Sequence, residues 1–172
     1  MNKKKAFLIL VTFWLLILIG FVGYKEYTLR TGTIVVLQTI PVDPRDLFRG
    51  DYVKLRYKIS SIDLTSLGQL DHKFKVGDAT YVELEIKDKY AIVTNVFAQP
   101  IKDKLFLKGE VRSVAANNLT VEYGIESYFV PENQGKMIES QIGKDVCVRV
   151  AIDSFGNAVI KELLIDGKPP EF

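Results

Sequence analysis

The pattern of hydrophobic and polar positions changes once along the chain, near residue 25. Before that point, Ala6 to Tyr24 (AFLILVTFWLLILIGFVGY) carries no charge, and thirteen of its nineteen residues are Leu, Ile, Val or Phe. A helix of that length spans roughly 28 Å at 1.5 Å per residue, close to the ~30 Å hydrocarbon core of a bilayer. The run is longer than the ~7–15 residue core of a cleaved signal peptide, and the residues before Gly20 and Gly23 lack the small-residue spacing of a cleavage site. The expectation is a retained transmembrane helix over 6–24 lying in the lipid bilayer, with a basic tip at 1–5 and a juxtamembrane linker at 25–32. Lys3, Lys4 and Lys5 then hold the N-terminus in the cytoplasm by the positive-inside rule. This makes a single-pass protein of the cell membrane, with everything from Lys25 onward extracytoplasmic.

After residue 32 the period shortens to that of β-strands. Thr33–Ile40 is a β-branched run. Tyr52–Ile59 alternates Lys54, Arg56 and Lys58 with Val53, Leu55 and Tyr57, as a half-buried strand does. Thr80–Ile86 and Tyr90–Phe97 flank Lys87-Asp88-Lys89 as a hairpin, and Val146–Ile152 and Ala158–Ile165 flank 153–157 as another. Leu105–Leu107, Gly109–Val114 and Leu119–Tyr123 supply further strands, while 62–70 and 134–142 each have room for a helical turn. The expected class is mainly β: one N-terminal transmembrane helix followed by an antiparallel β barrel or sandwich over 33–172.

Sliding the chain by 66 residues aligns 55–64 with 121–130 and 77–86 with 143–152. Six of these twenty pairs are identical: Tyr57/Tyr123, Ile59/Ile125, Ser61/Ser127, Gly77/Gly143, Val82/Val148 and Ile86/Ile152. Average usage would give about one. The domain is therefore expected to hold two related halves, at about 33–98 and 105–165.

Charge and chemistry narrow the function. Residues 1–24 hold three lysines and no acid, which leaves 20 basic and 21 acidic side chains in the rest. A near-neutral body lacks the clustered cations that nucleic-acid binding needs. His72 is the one histidine and Cys147 the one cysteine, so neither a histidine metal cluster nor an intrachain disulfide is expected, and no metal or cofactor. Cys147 sits in a strand-like run and reads as a small core hydrophobe. No phosphate loop, nucleophile elbow or catalytic triad spacing is present. Ser60 and Ser61 near Lys58 are the nearest thing to a Ser–Lys pair.

One connection is richer than its counterpart in the other half. Pro41–Asp51 (PVDPRDLFRGD) carries Asp43, Arg45, Asp46, Arg49 and Asp51 among two prolines and Gly50. These five charges are either a self-satisfying network of Arg–carboxylate pairs or an exposed docking loop for a partner or ligand. Within Gly50-Asp51-Tyr52-Val53-Lys54-Leu55-Arg56-Tyr57, the first two residues turn the chain into a strand and Leu55 shares a face with Tyr57. A buried tyrosine there needs a hydroxyl partner, with Arg45 or Asp46 in reach along the chain. A second candidate, Tyr123–Glu132, sets Glu126 and Glu132 beside Tyr123 and Tyr128, where they could line a groove.

The octapeptide at 50–57 fits G-D-Y-x-x-L-x-Y without a departure, and the chain resembles the bacterial GDYXXLXY family named for it. The resemblance extends to the Asp-Pro-Arg upstream and to an N-terminal anchor before a domain of this size. It implies a membrane-anchored bacterial protein working beside a multi-pass membrane protein, and carries no activity with it. The reading that joins these points is a non-catalytic binding or assembly module acting on a membrane-protein partner. The alternatives are an envelope hydrolase and a small-ligand sensor.

Overall fold

The computed structural model describes residues 3–40, 52–67, 72–129 and 145–170. Helix α1 (Lys3–Thr31) is followed by eleven antiparallel strands among the described residues. α1 is long and apolar enough to cross a membrane, and none of its apolar stretch is buried inside the protein. It does not stop at Tyr24. The stretch 25–32, expected as a linker, is helical to Thr31, and only Gly32 separates it from strand β1 (Thr33–Ile40). The extra turns carry their own reason to stay folded: Arg30 pairs with Glu26 one turn back, and the Thr28 and Thr31 hydroxyls bond the carbonyls of Tyr24 and Tyr27.

β1 leads into β2 (Tyr52–Lys54), β3 (Arg56–Tyr57), a 3-10 turn at Lys58–Ser60, and β4 (Ser61–Asp63). The hairpin β5 (Ala79–Lys87) and β6 (Tyr90–Phe97) follows, then β7 (Phe106–Ala115), β8 (Asn118–Glu122), β9 (Ser127–Phe129), and the hairpin β10 (Val146–Ile152) and β11 (Ala158–Ile165). One sheet has the order β11-β10-β1-β3, the other β4-β8-β7-β5-β6, and β2 and β9 form a ribbon of their own. Together they make a nearly closed, barrel-like antiparallel fold. A bond from the Lys108 amide to the Gly156 carbonyl links the two large sheets. Both enclose one apolar core that includes Leu37, Tyr57, Val82, Leu107, Leu119, Val121, Val148 and Leu163.

Two local expectations change. Tyr52–Ile59 is not one strand: the ladder breaks at Leu55, whose amide bonds the Glu126 carbonyl instead, and Lys58–Ser60 tightens into the 3-10 turn. The alternation survives, with Leu55, Tyr57 and Ile59 buried and Lys54, Arg56 and Lys58 exposed. At 62–67 the chain forms β4 and a turn capped by the Asp63 carboxylate, not a helix. Residues 134–142 lie outside the described residues.

The ladders repeat at a fixed interval. Tyr52, Val53 and Lys54 pair with Phe129, Tyr128 and Ser127; Asn118, Leu119 and Thr120 pair with Asp63, Ile62 and Ser61. A shift of 66 residues turns one set into the other. The bulges of the two long hairpins, after Glu83 and after Arg149, stand the same distance apart. β1 lies against β10, and β7 lies against β5. The strand before the first long hairpin thus pairs with the second hairpin, and the strand between the hairpins with the first.

Candidate functional site

The motif described so far meets the second candidate stretch at a crossing in the core. Tyr57 is fully buried, and its hydroxyl donates to the carbonyl of Ile125 at 2.5 Å. Tyr123, also buried, donates to the carbonyl of Ile59 at 2.6 Å. Each tyrosine closes onto the backbone two residues past the other, so the two bonds tie the stretches 57–59 and 123–125 together reciprocally. The Tyr57 hydroxyl therefore donates to a carbonyl, while Arg45 and Asp46 lie outside the described residues. A carbonyl held in place by a turn is available at that depth without burying a charge, which would cost far more. Burial first, and the negative charge of Glu126 second, push both phenols up and keep them protonated donors.

Leu55 is buried beside Tyr57, and Tyr52 enters the β2–β9 ribbon opposite Phe129. Gly50 and Asp51 lie outside the described residues, with Asp43, Arg45, Asp46 and Arg49. In the second stretch Tyr123 does not line a groove. Its ring fills the core, and Gly109 makes room for it, since a Cβ there would stand 3.0 Å from the Tyr123 ring and 2.8 Å from the Glu122 carbonyl. Glu126 accepts from the Tyr123 amide at 2.6 Å and so caps a turn, while Tyr128 packs half-buried against the core. Glu132 lies outside the described residues. The signal for Ile125 and Ile59 as acceptors was in the sequence only as the 66-residue match of their positions.

The segments 41–51 and 130–144 leave from neighbouring points. The first returns at Tyr52 and the second departs after Phe129, and these two residues are paired. β1 starts at Thr33 beside α1 and runs eight residues, roughly 26 Å, before segment 41–51 begins. Both segments therefore attach at the end of β1 remote from α1.

Cys147 is buried, and its thiol donates to Asp145 at 3.2 Å. The other oxygen of Asp145 accepts from the Tyr90 hydroxyl, with the Lys89 ammonium 3.8 Å away. The Tyr90 bond, foremost, holds the Asp145 carboxyl below its usual range. Burial, and then the bond to Asp145, push the thiol up to about 11. The low thiolate population makes it a poor nucleophile, and folded protein at pH 8 is expected to react with maleimide more than about a hundredfold slower than denatured protein. Equal rates would sink this assignment. The sign for stability follows: a thiol raised in the folded state contributes fully below the unfolded value near 8.5, and the contribution is lost as pH rises through about 11.

Ser60 is buried, Lys58 is exposed, and the Ser61 hydroxyl lies 3.1 Å from the Asn118 side chain. His72 stacks edge-on with Phe74 and lies 3.6 Å from Asp78. Among the described residues no three His, Cys, Asp or Glu side chains converge as a metal site requires.

A family model for the GDYXXLXY protein matches residues 14–163, from within α1 to the last full strand. The chain belongs to the GDYXXLXY family. Neither the curated proteins nor the solved structures contain a match. In this GDYXXLXY protein, Leu55 and Tyr57 of the signature are core residues, as are Val121 and Tyr123, 66 residues further on.

Proposed function

We propose that this GDYXXLXY protein is a single-pass membrane protein, cytoplasmic at its N-terminus, whose extracytoplasmic β domain is a rigid mount that presents segments 41–51 and 130–144 to a multi-pass membrane-protein partner. The observation that carries the reading is the junction between α1 and the domain. Thr28 is buried, the Tyr24 hydroxyl bonds the Asp153 carboxylate, and a single residue separates helix from strand. A domain that caught a soluble ligand would gain reach from a flexible linker. One that fixes its height and orientation at the membrane suits assembly with a neighbour in the same bilayer.

The partner-facing residues are Asp43, Arg45, Asp46, Arg49 and Asp51, with Glu132 on the adjacent segment. Planar Arg forks pair with carboxylates across interfaces, and the four acids with cations, which favours a partner surface of mixed charge. The halves at about 33–98 and 105–165 are, in this reading, copies of one unit, supported by the common interval in their ladders. The first copy has gained the charged loop. In-cell cross-linking with mass spectrometry of the captured protein tests the proposal. Wild type is expected to capture one dominant membrane protein, and an Arg45→Ala/Arg49→Ala double variant of equal abundance is expected to lose it. Capture retained in full by the variant would remove the loop from the interface, and no capture by either would sink the assembly reading.

A further inference from the structure

The underside of the domain holds a feature that the assembly reading does not use. A cleft of about 810 Å³ lies between the end of α1 (Tyr24, Tyr27, Thr28, Thr31), the β6–β7 connection (residues 100–105) and the β10–β11 turn. The turn is fixed firmly. Asp153 accepts from the amides of Phe155 and Asn157 at 2.9 and 2.8 Å and from Tyr24, while Asn157 also donates to the Tyr24 hydroxyl at 3.0 Å. This framework holds Phe155 at the tip with 68% of its surface exposed, and Tyr27, 65% exposed, lines the same cleft from α1. Two exposed aromatic rings held on a rigid lip represent apolar surface left in water at about 25 cal/mol per Å².

Their height is set by α1. The uncharged run ends at Tyr24, and Lys25 lies 5.9 Å over the Phe21 ring, turned back along the helix. From Tyr24 to Thr31 the helix rises roughly 10 Å, against ~5–8 Å for one headgroup layer. The Asp153–Asn157 turn is bonded at the level of Tyr24 itself. If α1 spans a bilayer, the turn and the lower part of the cleft lie within the headgroup layer, and the upper part at Thr31 rises above it. The charges on this rim are Lys25, Arg30, Lys102 and Lys104 against Glu26, Asp103 and Asp153. Arg30 is taken by Glu26, Lys104 by Glu83, and Asp153 by Tyr24 and the turn. Lys102 makes no ion pair among the described residues and stands on the cleft wall beside Pro100 and Ile101.

We propose that this rim is a second membrane contact: phospholipid headgroups of the leaflet beside Tyr24 enter the lower part of the cleft, Phe155 and Ile101 rest at the boundary with the acyl chains, and Lys102 pairs with an anionic lipid phosphate. The inference rests on the membrane-anchored reading above. It adds that the β domain lies on the bilayer instead of standing clear of it.

The test uses the full chain reconstituted in phosphatidylcholine vesicles, with and without phosphatidylglycerol, and lipids carrying a quencher near the headgroup or deep in the chain. Trp14 is the sole native tryptophan and reports on the helix. Phe155→Trp in a Trp14→Phe background reports on the rim, with Ile101→Trp as a second probe should the first disturb the turn. Val114→Trp, roughly 26 Å along β7 from Phe106, is the remote control. The expected result is deep quenching of Trp14, shallow quenching and a blue shift for the indole at 155 or 101, and neither for the one at 114. Lys102→Glu is expected to reduce the docked-to-free ratio of the rim about fivefold or more in anionic vesicles only. Quenching of Trp14 without quenching at 155 and 101 would overturn the inference and leave the anchor intact. Absence of deep quenching at Trp14 would overturn the anchor reading itself. An unchanged response to Lys102→Glu would remove the phosphate pairing.

Discussion

Truncating Tyr57 to alanine is expected to destabilise the β domain by about 3–5 kcal/mol. The ring is fully buried in the core, so its removal leaves a cavity there, and the Ile125 carbonyl loses its donor. Tyr57→Phe separates these effects. It keeps the ring and removes only the hydroxyl, at an expected ~1–3 kcal/mol for a buried acceptor left unpaired. Tyr123→Phe is expected to cost about the same, because its bond to Ile59 occupies the reciprocal position. The double variant is expected to deviate from additivity, since both bonds clamp one pair of turns. Denaturation midpoints of the full chain in detergent, followed by tyrosine near-ultraviolet circular dichroism, give all three values. A Tyr57→Phe variant as stable as wild type would mean that the signature's last tyrosine is there for its ring alone.

Gly32→Ala is expected to lower stability by about 2–3 kcal/mol and to loosen the helix from the domain. A Cβ at this position would stand 2.6 Å from the Thr28 carbonyl oxygen and 2.9 Å from that of Ile152. Both obstacles are backbone, and neither has a flexible side chain that could swing aside. The Gly32 amide also donates to Thr28 at 2.8 Å, so the residue is gripped from both sides as the chain passes from helix to strand. Relief requires β10 and α1 to move apart, exposing Thr28 and straining the Tyr24–Asp153 bond. Limited proteolysis between residues 25 and 33 reads this directly: the variant is expected to be cut early and wild type slowly. If the variant keeps both its midpoint and its resistance, the junction is not the rigid mount on which the functional proposal stands.

The two variants act at different levels of the molecule. Tyr57 ties distant stretches of the β domain to each other, and Gly32 ties that domain to the helix. The proposed assembly role needs both, because a segment attached at the far end of β1 is positioned only as well as every joint below it. Cross-linking of the Gly32→Ala variant is therefore informative even with its charged loop intact.

Periodicity by itself determined the class of this protein and most of its elements. A nineteen-residue uncharged run has only one stable form in a bilayer, a helix with its backbone bonds closed internally. β-branched and apolar runs bounded by turn residues set β1, β6, β10 and β11 to the residue, because such side chains favour a pleated, buried surface and the turn residues end it. The family signature, too, lay in eight consecutive letters. What the tertiary structure decided was every partner that comes from far along the chain. Local spacing offered Arg45 and Asp46 to the Tyr57 hydroxyl; the fold supplied Ile125, 68 residues away. Local spacing made 25–32 a linker; packing of Thr28 and the Asp153 bond carried the helix through it. A short helical extension has little stability alone, and a strand does not choose its neighbour from its own residues. In both cases the decision belongs to surfaces that exist only after the chain has closed on itself.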